Sequence, residues 1–94
     1  MNKKVIEWAK DRGLLDNPDI KAQTLKVMEE AGELCNSILT GETPAQIDAI
    51  GDIQVTLIIL AEQLGLDYEK CLETAYNEIK ERKGKMSNGT FIKH

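Results

Sequence analysis

The fold of this chain is decided by residues 20–64, which read IKAQTLKVMEEAGELCNSILTGETPAQIDAIGDIQVTLIILAEQL. Apolar residues recur at helical spacing on both sides of Gly41, a residue type that commonly follows the last turn of a helix. The stretch therefore predicts two long helices, over about 20–40 and 44–64, with Thr43 as the N-cap of the second. Because the connection between them is short, we expect these helices to be antiparallel neighbours in a bundle.

Shorter helices are predicted on either side of this pair. One covers about residues 2–11, and the other is capped by Asp67 and ends near Lys83. The predicted inner face of this fourth helix contains Cys71, Leu72, Ala75 and Ile79. The sequence therefore predicts an all-α fold, similar to a four-helix bundle, with a short N-terminal helix, three longer helices and one domain over 1–94.

The last eleven residues, 84–94, are expected to form an extended tail. They contain Asn88-Gly89, a strong signal for a tight turn between two strands. We expect Phe91 and Ile92 to dock on the helical body or on a neighbouring molecule.

Composition restricts the environment and the partners of the chain. The net charge of −4 disfavours binding to nucleic acid, which requires a basic surface. Cys35 and Cys71 are far apart in sequence, and we expect both to be buried free thiols in a reducing cytoplasm. The longest apolar run, 53–61, is less than half of the roughly 20 residues that span a bilayer, so no membrane association is predicted.

Acidic residues in the two long helices are the main functional signal. Glu29, Glu30 and Glu33 are close neighbours in the second helix, and Asp48 and Asp52 lie one turn apart in the third. Like charges at this spacing cost a few tenths of a kcal/mol per pair on a helix. A solvated acidic surface is one interpretation, whereas a bound cation shared by the carboxylates is the other.

The third helix favours the second interpretation. Apolar residues surround Asp48 and Asp52 on nearly all sides, so this helix is expected to be covered by its own domain or by a partner subunit. Buried carboxylates are costly unless they are paired. Antiparallel helices would bring both acidic pairs to similar heights, and the only histidine is His94. A site made of oxygen ligands favours Mg²⁺ or Mn²⁺ over zinc.

The acidic residues also carry a resemblance to a known family. Residues 29–33, EEAGE, followed by 48–52, DAIGD, resemble the E-E-x-x-E and E-x-x-D motifs of the MazG-like, all-α nucleoside triphosphate pyrophosphohydrolases. The resemblance covers about residues 5–85, including IEWAKDRGL near the start, and is greatest to small phage-type members. It implies a MazG-type fold, a dimer or tetramer, and Mg²⁺-dependent cleavage of a (d)NTP to the monophosphate and pyrophosphate.

The resemblance also implies roles for the acidic residues. Glu30, Glu33 and Asp52 would bind the metal, and Glu29 and Asp48 would complete its ligands or orient the attacking water. The family has Glu three residues before the Asp of its second motif, whereas this chain has Ala49 there. Asp48, one position earlier, would take the place of that Glu on the same face of the helix.

Four further residues are candidates for contact with the substrate. Asn77 and Lys80 match an Asn-x-x-Lys on the last helix of the family, and Lys83 lies one turn beyond Lys80. The lysines would hold phosphate oxygens, and the asparagine would bond phosphate or sugar. A solvated helix end explains the lysines as well. Trp8 is either a platform for the base or a residue of the core.

The residues alone leave a non-enzymatic alternative open. A helical dimerisation module that keeps an acidic patch has the same composition and the same apolar third helix. It predicts that Asp48 and Asp52 face solvent or are protonated, and that divalent cations change nothing.

Overall fold

The computed structural model describes all 94 residues, Met1–His94. The chain forms four helices followed by one β-hairpin. The elements in order are α1 (Asn2–Asp11), α2 (Ile20–Thr40), α3 (Thr43–Gln63), α4 (Tyr68–Ile79), β1 (Gly84–Ser87) and β2 (Thr90–Lys93). The predicted all-α body is confirmed at the level of a mostly helical chain, to which the structure adds a short hairpin.

A tight connection joins α2 to α3. Gly41 takes a left-handed conformation with φ 71° and donates its N–H to the carbonyl of Ser37 at 3.1 Å. Glycine adopts this conformation without the steric cost that other residues meet. Near the opposite end of the pair, the Gln23 side chain donates to the carbonyl of Thr56 at 3.1 Å. The start of α2 therefore lies beside the second half of α3, as expected for antiparallel helices.

The observed helix ends differ from the prediction at two places. Thr43 was wrongly predicted as a cap, because Glu42 has the extended conformation of the N-cap and Thr43 is already helical. The predicted end of α4 near Lys83 was also wrong, since the helix ends at Ile79. The carbonyl of Lys83 accepts a hydrogen bond from the N–H of His94 at 2.8 Å. Lys83 therefore belongs to the base of the hairpin and not to α4. Asp67 caps α4 as predicted.

The third helix is the centre of the fold, since α1, α2 and α4 all pack on it. Two polar contacts hold the periphery in place. The Gln63 side chain donates to the carbonyl of Leu14 at 3.0 Å, and Asn2 donates to Glu69 at 3.3 Å. Six residues are buried in the single chain: Ala9, Ser37, Ala49, Ile58, Ile59 and Ala61.

This core is small for the size of the chain. The accessible surface is 7497 Å², whereas a compact monomer of this mass exposes about 5,400 Å². The radius of gyration is 15.8 Å, against about 12 Å for a compact domain of this length. The single chain is therefore an open arrangement of helices with much of its apolar surface uncovered.

Several residues predicted to be buried lie on this uncovered surface. The inner face predicted for α4 is exposed, including Leu72 and Ile79, and α4 has no buried residue. Cys35 and Cys71 are exposed as well, so the prediction of two buried thiols was wrong for the single chain. The reason for α4 is that it packs mainly on α3 and meets α1 through the Asn2–Glu69 hydrogen bond, which leaves most of its surface uncovered.

The apolar character of α3 bears on the environment of the protein. By length and composition, this helix could cross a membrane. In its most apolar 18-residue segment, 22% of the residues are buried. The core helix of a helical bundle meets the same two criteria. The predicted absence of a membrane partner stays a prediction.

The C-terminal residues form a hairpin where an extended tail was expected. Asn88 and Gly89 have positive φ angles of 51° and 77°, which suit the two-residue turns that match the twist of paired strands. The strands pair in register from Gly84 with Lys93 to Ser87 with Thr90. Phe91 and Ile92 remain about half exposed, so neither is buried against the helical body. Their docking on a neighbouring molecule stays a prediction.

Candidate metal centre

Three carboxylates from two helices form a compact cluster. Glu30 and Glu33 lie one turn apart on α2, and Asp52 faces them from α3. One carboxylate oxygen from each residue lies within 4.8 Å of the other two. Helical spacing puts the two glutamates on one face, and the short α2–α3 connection brings the aspartate to the same height. These are the three residues that the resemblance implies as metal ligands.

The electrostatics of the cluster show that its negative charge is not balanced. Burial raises the pKa of Glu30 above its usual value, and a hydrogen bond with Glu33 and the nearby carboxylates raise it further. The pKa of Asp52 is also raised, first by burial and then by repulsion from Asp48 and Glu33. Burial and like charges both disfavour the charged form of an acid.

No side chain neutralises these acids. The chain contains one ion pair, between Lys26 and Glu29, and it lies outside the cluster. One carboxylate oxygen of Glu30, Oε2, is buried without a hydrogen-bond partner. A buried acceptor without a donor is costly, and a cation would satisfy it. Because all available ligand atoms are carboxylate oxygens, the cluster fits a hard divalent cation such as Mg²⁺.

The other two acidic residues lie at the edge of this cluster. The carboxylate of Glu29 is exposed and lies 3.2 Å from Nζ of Lys26. The expected burial of Asp48 was wrong, because Asp48 is exposed on α3, where it lines a cavity beside Glu33 and Asp52. Their roles in completing the ligands or orienting water stay predictions, since neither belongs to the three-carboxylate group.

A cavity of about 260 Å³ opens beside the carboxylates. Its lining is formed by Glu33, Asn36, Ser37, Thr40, Glu42, Ala45, Asp48, Ala49 and Asp52. Ala49, the position at which the resembled family has Glu, is buried in this lining and leaves space beside Asp52. The sequence reasoning missed Asn36, Thr40 and Glu42. The helical period from Glu33 would have found the first two, since residues 33, 36, 37 and 40 share one face.

The residues predicted to contact substrate are not gathered around this cavity in the single chain. Asn77, Lys80 and Lys83 are exposed, and none of them lines it. Trp8 is half exposed in a groove between α1 and α3, where the Arg12 guanidinium lies 4.3 Å from the centre of its ring. The structure therefore assigns Trp8 neither to the buried core nor to the carboxylate cavity.

The raised pKa values predict that the metal-free protein loses stability as pH rises. Glu30 and Asp52 have pKa values above 4.5 and 3.8, their ordinary values, so the folded state holds protons that the unfolded state has released. Stability from these groups is fully present below the ordinary pKa values and is lost as pH rises through the raised ones. Thermal unfolding with chelator, between about pH 4 and pH 8, would measure this loss.

The matched control is the double variant Glu30→Gln and Asp52→Asn, which cannot titrate at these positions. The difference in unfolding temperature between this variant and the wild type should grow with pH. A difference that is constant across the range would contradict the prediction. Mg²⁺ added at neutral pH should raise the unfolding temperature of the wild type more than that of the variant.

Comparison with known proteins finds one similar phage protein. An uncharacterized 18.2 kDa protein of Haemophilus phage HP1, from the rep-hol intergenic region, is 38% identical over 65 residues. The match covers 69% of this chain and 40% of the phage protein, so the chain spans less than half of that relative. No protein-family profile matches the chain, and no solved structure does. The similarity is to a protein with no assigned activity.

Proposed function

We propose that this protein is a Mg²⁺-dependent nucleoside triphosphate pyrophosphohydrolase with a MazG-like fold. It would cleave a (d)NTP to the monophosphate and pyrophosphate. The carboxylate cluster of Glu30, Glu33 and Asp52 carries the proposal, because it unites raised pKa values, an unsatisfied buried oxygen and no neutralising side chain. Such a group is costly for a metal-free protein, whereas a divalent cation turns the cost into affinity.

The sequence motif adds the reaction class. The same three residues occupy the metal positions of the E-E-x-x-E and E-x-x-D motifs of MazG-like enzymes, and the two helices that carry them are antiparallel and adjacent. This agreement between motif and geometry supports the proposal. A different packing of α2 and α3 would have placed the three carboxylates far apart.

In this proposal, some residues bind the metal and another accepts a proton from water. Glu30, Glu33 and Asp52 would hold Mg²⁺, with Mn²⁺ as a substitute. When bound, the metal supplies charge neutralisation for the triphosphate and makes water more acidic. Asp48, exposed at the cavity edge, is placed to accept a proton from water as a general base. Asn36 and Thr40 offer neutral hydrogen bonds along the cavity wall.

Besides the metal, a triphosphate would need basic side chains to contact its oxygens. The lining of the cavity contains no lysine or arginine. Lys80 and Lys83, and Asn77 on the exposed side of α4, are the residues that we propose for contact with phosphate or sugar. The large uncovered apolar surface further supports a homo-oligomer, either a dimer or a tetramer.

One observation fits the non-catalytic alternative equally well. The exposed apolar surface would serve a dimerisation module as well as an enzyme, and such a module needs no metal. The two functions differ in their response to divalent cations and nucleotides.

The deciding experiment measures product formation from the common ribo- and deoxyribonucleoside triphosphates. Each reaction would contain Mg²⁺, Mn²⁺ or chelator, and pyrophosphate would be distinguished from orthophosphate. We expect pyrophosphate and monophosphate with either metal and no product with chelator. If no triphosphate is cleaved and Mg²⁺ leaves the unfolding temperature unchanged, the enzymatic proposal is wrong and the dimerisation module is favoured.

A further inference from the structure

Positive charge is concentrated in the residues that follow α4. Residues 80–94, which we call the basic segment, contain five lysines and arginines and one glutamate. Residues 1–79 contain seven basic and fifteen acidic residues. The net charge of −4 is therefore the sum of a strongly acidic helical body and a basic hairpin region. The prediction against nucleic acid considered only that sum, whereas the local distribution of charge decides which surface an anionic polymer meets.

The basic segment is open to an anionic partner. Its two strands pack mainly on each other, without a substantial contact to any helix. Every side chain in the segment is exposed. None of its five basic residues forms an ion pair, because the one ion pair of the chain joins Lys26 to Glu29. Five positive charges are therefore available to a ligand outside the chain.

Antiparallel pairing divides the side chains of the hairpin between two faces. Residues that lie opposite each other share a face, and successive residues of a strand alternate between faces. Each face therefore combines a lysine with an apolar side chain, and neither face is wholly apolar. One face has Gly84, Met86, Phe91 and Lys93, and the other has Lys85, Ser87, Thr90 and Ile92.

The ring of Phe91 is supported by the hairpin but is not covered by it. It lies against Gly84 on the opposite strand, where a Cβ would collide with the ring. Phe91 nevertheless remains 49% exposed. Glycine at position 84 lets the backbone support one part of the ring, while the rest is open to solvent. A supported, half-exposed aromatic ring beside lysines is suited to stack on a nucleotide base.

We propose that the basic segment binds single-stranded nucleic acid. Its lysines and Arg82 contact the phosphates of the strand, and Phe91 stacks on a base. Basic side chains together with an aromatic ring are the combination that binds such strands, and sequence preference is weak because every base has a π face. In a duplex the bases are paired and stacked on each other, so no base is free to stack on Phe91.

The apolar side chains favour this partner over an anionic membrane. Phe91 and Ile92 are adjacent in β2 and therefore lie on opposite faces of the hairpin. A hairpin lying on a membrane would need one apolar face. Here either face would bring a lysine into the lipid, Lys93 with Phe91 or Lys85 with Ile92.

This interaction is separate from the proposed reaction. The carboxylate cluster lies between α2 and α3, whereas the basic segment follows α4. Lys80 and Lys83 belong to both proposals, so the tests change other residues of the segment. All binding measurements are made with chelator, because the carboxylates then have no metal through which to hold a phosphate.

The charges are tested with a fluorescent oligothymidylate of about 12 nucleotides, whose binding is followed by polarisation. Five phosphate contacts predict a slope of about −3.5 for the logarithm of the binding constant against that of the salt concentration. Affinity should therefore fall about 100-fold between about 50 and 200 mM salt. Lys85→Gln with Lys93→Gln removes two contacts and should bring the slope to about −2.

The matched control is Lys4→Gln with Lys10→Gln, which removes the same charge from exposed positions of α1. This control should keep the slope of the wild type. A wild type that does not bind at low salt overturns the proposal. Equal slopes for the two double variants also overturn it, because the contacts would then lie outside the hairpin.

The stacking is tested at Phe91. Phe91→Leu keeps an apolar side chain over Gly84 but removes the ring, and binding should weaken by about 5- to 150-fold. Phe91→Tyr keeps the ring and should bind like the wild type. The helical body should be unchanged in both variants, as circular dichroism would show, because the strands pack mainly on each other. Equal losses in the two variants, or no loss in either, overturns the proposal.

Competition identifies the class of partner. Charge alone favours a duplex, which has the higher charge density, so better competition by unlabelled single strands than by duplex of equal length reports exposed bases. Vesicles with phosphatidylserine, and polyglutamate, should compete weakly. Stronger competition by duplex, vesicles or polyglutamate overturns the proposal. Glu30→Gln should bind the oligonucleotide like the wild type, so a protein that binds it but cleaves no triphosphate contradicts only the proposed function.

Discussion

Replacing Glu30 with Gln is expected to abolish pyrophosphate release and to leave the fold intact. The substitution removes one of three oxygen ligands, and a catalytic metal contributes several kcal/mol of transition-state stabilisation. Since each 1.36 kcal/mol changes a rate tenfold, we expect a loss of at least about 100-fold. The unfolding temperature of the metal-free protein should stay the same or rise, because burial and neighbouring carboxylates disfavour the charged form of Glu30.

The control for this substitution is Glu7→Gln, the same chemical change at an exposed position of α1. It should change neither the rate nor the response to Mg²⁺. Initial rates at several Mg²⁺ concentrations would separate weaker metal binding from a slower reaction. An unfolded Glu30→Gln protein would show that this carboxylate is structural, and an active one would remove it from the ligands.

Replacing Ile59 with Ala is expected to cause the largest loss of stability. Ile59 is 4% exposed in the last third of α3, the helix on which the other three pack. Large-to-small changes of this kind cost about 2 to 5 kcal/mol, and the core of this chain contains few other buried side chains to compensate. The free energy of unfolding, measured with urea, should fall by this amount, a large part of the total for a domain of this size.

Ile47→Ala is the matched comparison, because Ile47 is on the same helix but 69% exposed. Exposed substitutions usually change stability by less than about 0.5 kcal/mol. Equal losses at both positions would contradict the assignment of the core to the second half of α3. Both variants should be compared at one protein concentration, since association contributes to the measured stability.

The helices and the carboxylate cluster could be predicted because they depend on local information. Apolar spacing and the Gly41 connection define α2 and α3, and a short connection leaves antiparallel packing as the simple arrangement. Once that packing is given, Glu30, Glu33 and Asp52 meet by helical geometry alone. The observed cluster therefore confirms the predicted neighbourhood of these residues, while their binding of a metal stays a prediction.

Burial could not be predicted in the same way. The apolar stripe of α4 has the spacing of an inner face, and the prediction placed Cys71 and Leu72 inside for that reason. Spacing shows that a face is apolar, but not whether the covering surface belongs to the same chain or to another molecule. The same limit applies to Cys35 on α2. The hairpin is a different case, since Asn88-Gly89 signals a turn between two strands, whereas the prediction described residues 84–94 only as an extended tail.

The α2–α3 connection also limits how this gene can change length. Asp52 is held opposite Glu30 by a two-residue link and by a fixed number of helical residues after it. Each residue of an α-helix turns the chain by about 100°, since 3.6 residues make one turn. One codon inserted or deleted between Pro44 and Asp52 would therefore swing the aspartate out of the cluster without altering any of the three carboxylates. We expect genetic variation here to take the form of substitutions, with insertions and deletions confined to other parts of the chain.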